Sequence, residues 1–282
     1  IFRYALRKHW WLVKRIFVEP LISLSLRDYD KEVELINNIH NFFQEKPFVS
    51  ISTNLPMGFR SLTVSVESYK THQRRVHFSH NRNSCSAETS DLVFQVDYQV
   101  DGTLYSSKFS LVQLKLLDGS KWDVRCNQYF LMRYWPEFMA RGRKFNPSTL
   151  RYNVGISSFY FLGARSNFHD KLSFSKITLG GLVLPTNLLE HLSSGECTTC
   201  REEFSIKYAT SHHTLLYENS FWKFLARTVF QEYGVFDDEY FKYLSSIFNH
   251  HHLDGGSLEP GNEESGTPSV LIKLTVGLSR QG

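Results

Sequence analysis

The sequence predicts a mixed α/β (α+β) protein in which a central mixed sheet is flanked by helices. Three observations point there. Leu92–Val100 and Phe109–Leu117 are apolar runs of strand character with the tight-turn dipeptide Asp101-Gly102 between them, so they read as a β-hairpin or a near relative. Residues 28–45 place apolar side chains at helical spacing just ahead of that pair. Further strand-like and helix-like segments follow it, and 282 residues suffice to bury a sizeable core.

Residues 1–27 set Trp10, Trp11, Ile16 and Phe17 among five Arg or Lys side chains ahead of Glu19-Pro20. They read as an amphipathic helix whose tryptophans pack on the core, or as a basic aromatic surface for phosphate and base contact. In residues 28–45, Val33, Ile36, Ile39 and Phe43 recur at helical spacing, with Asp28 or Asp30 as N-cap. Lys46–Pro56 and Leu62–Val66 read as extended. Tyr69–Asn83 contains Lys70, Arg74, Arg75 and Arg82 and no acid. It is a solvated loop or a track for a phosphate backbone.

After the central hairpin, Trp122–Ala140 reads as an aromatic helix broken by Pro136. Arg151–Leu162 reads as a strand, and Leu172–Leu184 as a second hairpin around Gly180-Gly181. Asn219–Tyr233 and Asp237–Asn249 carry helical aromatic stripes. His250-His251-His252 follows, then a polar Gly-Pro-Glu loop over residues 255–268 and a last alternating strand, Ser269–Leu278. A sheet of three to five strands with helices on its faces is the natural packing.

The formal charge of +4 permits nucleic-acid binding without demonstrating it. No apolar stretch reaches the length of a membrane span, and Arg7, Lys8, Lys14 and Arg15 interrupt the N-terminal run. No secretory signal pattern is seen. Four cysteines without an evident framework fit a reducing interior, so the expected compartment is the cytoplasm. Cys197-Thr-Thr-Cys200 is a single CxxC, and its spacing leaves free thiols, a redox pair and a zinc site open.

The polar residues inside the central pair carry the chemistry. Asp91 stands at the entrance of the first strand, and Gln113 and Lys115, two apart in the second, share a face. Asp91 and Gln113 would hold a hard divalent cation, Mg2+ or Mn2+. Lys115 would orient or deprotonate the attacking water, or offset transition-state charge in phosphodiester hydrolysis. Glu88, three residues before Asp91, is a candidate second carboxylate. The plainer reading has Lys115 snorkelling from an edge strand and Gln113 solvated.

Two stretches, Cys85-Ser-Ala-Glu88-Thr-Ser-Asp91-Leu-Val-Phe and Phe109-Ser-Leu-Val-Gln113-Leu-Lys115, resemble the PD-(D/E)XK nuclease superfamily in its QxK variant, and within it bacterial defence-type members. The resemblance covers about residues 30–165. It implies a restriction-endonuclease-like core over residues 1–165 and an accessory C-terminal region over 166–282, either separate or part of the same domain. It also implies an acid from the helix ahead of the hairpin, Glu34 or Glu32, and a polar residue on the helix after it, Gln128. The implied activity is Mg2+-dependent DNA cleavage in defence or restriction, by a homodimer or beside other defence proteins. Gln113 stands where many members have an acid, which weakens the charge at the metal site. A nuclease-fold module that binds nucleic acid or protein without cleaving is the alternative.

Overall fold

The computed structural model describes residues 1–27, 29–72, 75–118, 120–163, 181–193, 195–207, 219–248 and 268–281. Its described strands are β1 (Phe48–Ser52), β2 (Ser61–His72), β3 (Val76–His80), β4 (Asn83–Ala87), β5 (Leu92–Val100), β6 (Thr103–Leu116), β7 (Lys121–Arg125), β8 (Phe138–Ala140), β9 (Arg143–Phe145), β10 (Ser158–Gly163), β11 (Leu182–Pro185), β12 (Glu203–Lys207) and β13 (Pro268–Ser279). Seven of them form a central sheet in the order β1-β2-β13-β5-β6-β10-β11. The sheet is mixed, with β13 parallel to β5 and β10 parallel to β6.

The β5–β6 hairpin forms where the sequence places it. Asp101 and Gly102 both take positive φ (48° and 79°), the backbone a two-residue turn between right-twisted strands needs. Apolar side chains on both faces make β5 and β6 interior strands. Leu92, Phe94 and Val96 of β5 join one core cluster and Val93 the other.

Helices cover the two faces separately. Over the first face lie α1 (Phe2–Lys8), α2 (Trp10–Val13), a π-helical turn (Lys14–Val18), α3 (Glu19–Ser25), α4 (Glu32–Phe43) and α8 (Phe221–Val229). The two N-terminal tryptophans separate. Trp10 packs on Trp222 and Phe230, whereas Trp11 is exposed. Over the second face lie α5 (Cys126–Tyr134), α9 (Asp238–Phe248) and two small sheets, β4-β3-β8-β9 and β12-β7.

Several expectations change. The aromatic helix starts at Cys126, because Trp122 and Val124 face the core from β7 paired with β12. Arg151–Leu162 is a strand only in its second half. Its first half belongs to two short helices, α6 (Ser148–Tyr152) and α7 (Val154–Ser157), and the buried Asp237 carboxylate accepts the Thr149 and Leu150 N–H groups (2.8 and 3.1 Å) at the start of α6. The basic stretch after Tyr69 contains the end of β2, all of β3 and the turn into β4; residues 73 and 74 lie outside the described residues.

The C-terminal strand enters the centre of the sheet between β2 and β5 rather than an appended region, so a boundary near residue 165 does not divide the sheet. The first part of the second hairpin, His250-His251-His252 and the loop over 255–267 fall outside the described residues. The four cysteines are paired, Cys85 with Cys200 and Cys126 with Cys197, which removes unpaired thiols as a reason to place the chain in a reducing interior. Among the described residues no helix is long and apolar enough to cross a membrane.

Candidate active site

Asp91 precedes β5 and shares the inner face with Val93, while Gln113 and Lys115 occupy the same face of the neighbouring strand β6. Asp91 and Gln113 are each 2% exposed. Asp91 Oδ2 accepts a hydrogen bond from Gln113 Nε2 and another from the Leu114 N–H (2.7 Å). Gln113 Oε1 in turn accepts from Gln128 Nε2 on α5 (2.5 Å). Two strands and one helix therefore hold a continuous amide–amide–carboxylate chain.

A second acid reaches the site from the other layer. Glu32 is the first residue of α4, and its Oε1 accepts from the Leu116 N–H (3.3 Å) and lies 3.5 Å from Lys115 Nζ. The Lys115 and Glu32 side chains are 15% and 31% exposed, so this pair is the solvent-facing side and Asp91–Gln113 the floor.

The electrostatics are unbalanced on the floor. Burial first, and then the Glu32 charge, push the Asp91 carboxyl up to about 7 against the opposing effects of Lys115 and the Leu114 N–H. Tyr160 of β10 stands in register with Gln113 and is fully buried. Among the described residues its hydroxyl has no hydrogen-bond partner, and burial followed by the charge of Asp91 pushes it well above the usual tyrosine range. An orphaned hydroxyl and an under-neutralised carboxylate thus lie close enough to influence one another, an arrangement a polar or cationic ligand would relieve.

No family model, curated protein or solved structure matches the chain. The functional reading therefore stands on this geometry and on the sequence pattern.

Of the expected residues, the structure brings together Asp91, Gln113, Lys115 and Gln128. Gln128 meets Gln113 rather than Lys115 or open solvent. Glu34 does not join them: it is exposed, and its carboxylate accepts the Asp30 N–H (3.2 Å) at the start of α4. Lys31 is the N-cap residue, and residue 32 therefore opens the helix and reaches the end of β6. Glu88 is half-buried, and its charge raises the Asp91 carboxyl as the weakest of five influences. With the four cysteines paired as disulfides, no group of three or more His, Cys, Asp or Glu side chains among the described residues is arranged to hold a metal.

The basic residues are dispersed. Lys70 shares the parity of Leu62, Val64 and Val66 and faces the α4 layer, where its charge lowers the His40 pKa after burial does; Asp91 is on the other face. Arg75 donates to the Ser86 carbonyl (3.1 Å), and Arg82 is exposed in the β3–β4 turn. Arg74 lies outside the described residues. Of the described Lys and Arg residues in this stretch only Lys70 lies in a strand; Arg75 precedes β3 and Arg82 precedes β4. Sequence reasoning missed Tyr160. Its one signal is a phenol within the fully apolar run Phe159–Leu162, a place where a hydroxyl needs a reason.

Proposed function

We propose that the protein is a divalent-metal-dependent phosphodiesterase acting on nucleic acid, with a restriction-endonuclease-like site centred on Asp91, Gln113 and Lys115. The observation that carries the reading is the convergence of an acid, an amide and an amine from one hairpin with a second acid, Glu32, from α4.

The donor set fits a hard cation. Asp91 and Glu32 offer carboxylate oxygens and Gln113 an amide oxygen, and Mg2+ tolerates so few protein ligands because it retains water. Gln113 points its nitrogen at Asp91. Rotation of that amide about its last torsion would present oxygen instead, and Gln128 can turn in the same way to keep the pair bonded. Mg2+ or Mn2+, when bound, would supply Lewis acidity toward a phosphoryl oxygen and toward water.

The chain's own groups divide the remaining work. Glu32 holds the Lys115 ammonium at the solvent-facing side. From there Lys115 orients the attacking water and offsets charge that develops on the phosphorus oxygens. Gln128 fixes Gln113, and the Leu114 N–H fixes the Asp91 oxygen it binds. DNA as the substrate, a defence-type role in the cytoplasm, and action as a homodimer or beside other defence proteins rest on the sequence resemblance and the mildly basic charge.

A second reading has one observation in its favour. Asp91 is almost wholly buried and bonded to an amide nitrogen, as in a nuclease fold that binds without cutting. Incubation of supercoiled plasmid, single-stranded DNA and RNA with Mg2+ or Mn2+ separates the two. Metal-dependent cleavage that is blocked by EDTA and falls at least about a thousandfold in Lys115→Ala supports the enzyme. Salt-sensitive retardation of DNA without cleavage supports the second reading. Wild-type cleavage by Lys115→Ala removes this site from consideration.

A further inference from the structure

The chain's four cysteines meet at one place on the second face. Cys197 and Cys200 flank a two-residue turn, Cys85 lies on β4, and Cys126 is the first residue of α5. The Cα separations across the two pairs are 5.8 Å (Cys85–Cys200) and 5.6 Å (Cys126–Cys197). Bonds that do not involve sulfur hold the three segments together. The Glu202 carboxylate accepts the Thr198 and Thr199 N–H groups (2.7 and 2.9 Å), which fixes the turn between the two cysteines. The Cys126 N–H donates to the Glu202 carbonyl (2.9 Å), and Asn127 Nδ2 donates to the Ser86 carbonyl (2.6 Å) beside Cys85.

We propose that in the reduced protein these four cysteines bind one structural Zn2+ as a tetrathiolate. A CxxC turn aims both sulfurs at one point, and two further cysteines complete the four ligands that a closed zinc site requires. A Zn–S bond of about 2.3 Å places neighbouring sulfurs roughly 3.8 Å apart, a modest opening of the paired arrangement on the same backbone frame. Cys126 begins a nine-residue helix, and the dipole there favours its thiolate. Four thiolates fill the tetrahedral coordination of zinc and leave no open position for a substrate, so the role is structural; Cys85 and Cys126 are buried and Cys197 and Cys200 half-buried. While the sulfurs are paired as disulfides they hold no metal.

The interconversion balances. Each disulfide takes two electrons and two protons from a dithiol reductant, which leaves as its own disulfide. Zn2+ then displaces four protons from the four thiols. The metal would pin the two segments that lead into the candidate active site, since Cys85 lies six residues before Asp91 and Cys126 two before Gln128. The proposal does not depend on catalysis.

Metal content and thiol count decide it. The full chain is purified from a reducing cytosol without chelator, analysed for zinc and iron by mass spectrometry, then unfolded in guanidinium with EDTA and titrated with a thiol reagent. The proposal expects about one zinc per chain and four reactive thiols without added reductant. It also expects mercurial release of that zinc, and the zinc content of Cys200→Ser to fall at least tenfold. Zero thiols with no zinc would show permanent disulfides and overturn it. Four thiols without zinc, or iron with acid-labile sulfide, overturns it as well. If Cys200→Ser does not fold, the wild-type measurements still decide.

Discussion

Asp91 and Asp97 stand six residues apart on one stretch of chain, face the same side of the sheet and are both buried, 2% and 3% exposed. Their surroundings use the same residue types. Asp97 meets Lys273 Nζ at 3.3 Å, Gln95 Nε2 at 2.9 Å and Ser107 Oγ at 2.6 Å. Asp91 meets Gln113 and the Leu114 N–H, but the nearby Lys115 is engaged by Glu32. Among the described residues the Lys273 ammonium forms an ion pair with Asp97 alone, whereas the Lys115 ammonium beside Asp91 is paired with Glu32. A third buried acid, Asp237, spends its two oxygens on the Thr149, Leu150 and Tyr240 N–H groups. An Asp, a Gln and a Lys in one place are thus not enough to mark a site. What separates the two sets is whether the local charge closes, and around Asp91 it does not.

Cleavage should divide the two acids most sharply. Asp91→Asn is expected to lower metal-dependent cleavage at least about a thousandfold, about 4 kcal/mol of barrier, whereas Asp97→Asn leaves the rate per folded molecule unchanged. Single-turnover assays on both variants check this. Equal losses would mean that the contrast is one of stability alone.

Stability should move in the opposite sense. Asp97→Asn leaves Lys273 without its counter-charge and should cost about 3 kcal/mol in urea unfolding. Asp91 is raised in the folded state above its unfolded value of about 3.9, so the folded protein keeps a proton that the unfolded chain releases. The stability linked to Asp91 is full below about pH 4 and is lost as pH rises toward about 7. His9, His40 and His80, held below their ordinary values mainly by burial, act in the other direction, so the variant difference is what reports on Asp91. Relative to wild type, Asp91→Asn should gain stability across that window while Asp97→Asn does not. Mg2+ should raise the wild-type midpoint little at pH 5 and most above pH 7. A Mg2+ effect of the same size at both pH values would speak against Asp91 as a ligand.

The smallest effect is expected at Tyr160. Tyr160→Phe deletes an unpartnered hydroxyl, so unfolding should shift by less than about 1 kcal/mol. If the hydroxyl helps to order the floor of the site, kcat should drop by about tenfold with KM unchanged. An unchanged kcat would limit Tyr160 to packing.

The meeting of Asp91 with Gln113 and Lys115 was legible because it follows from period-two alternation around a turn that Asp101-Gly102 specifies. Glu32 could be nominated but not chosen over Glu34. The two residues lie 200° apart around a helix, and the choice rests on where α4 begins and how it crosses the sheet. In the basic stretch from Lys70 to Arg82, Lys70 lies on β2 facing the α4 layer while Arg75 and Arg82 lie outside the strands, a placement their spacing does not encode. Tyr160 needed the parallel register of β10 on β6, which nothing within Ser158–Gly163 encodes.

By itself, the sequence determined the hairpin, the apolar stripes of α4, α8 and α9, and the strand character of the C-terminal segment, because each of these is a periodicity written within about a dozen residues. Only the tertiary structure decided that this last strand lies between β2 and β5, that Cys197 and Cys200 meet Cys126 and Cys85, and that Lys115 is engaged by Glu32. Those are contacts between segments some 70 to 200 residues apart. They depend on how competing apolar faces and buried charges are satisfied together, which no local pattern records.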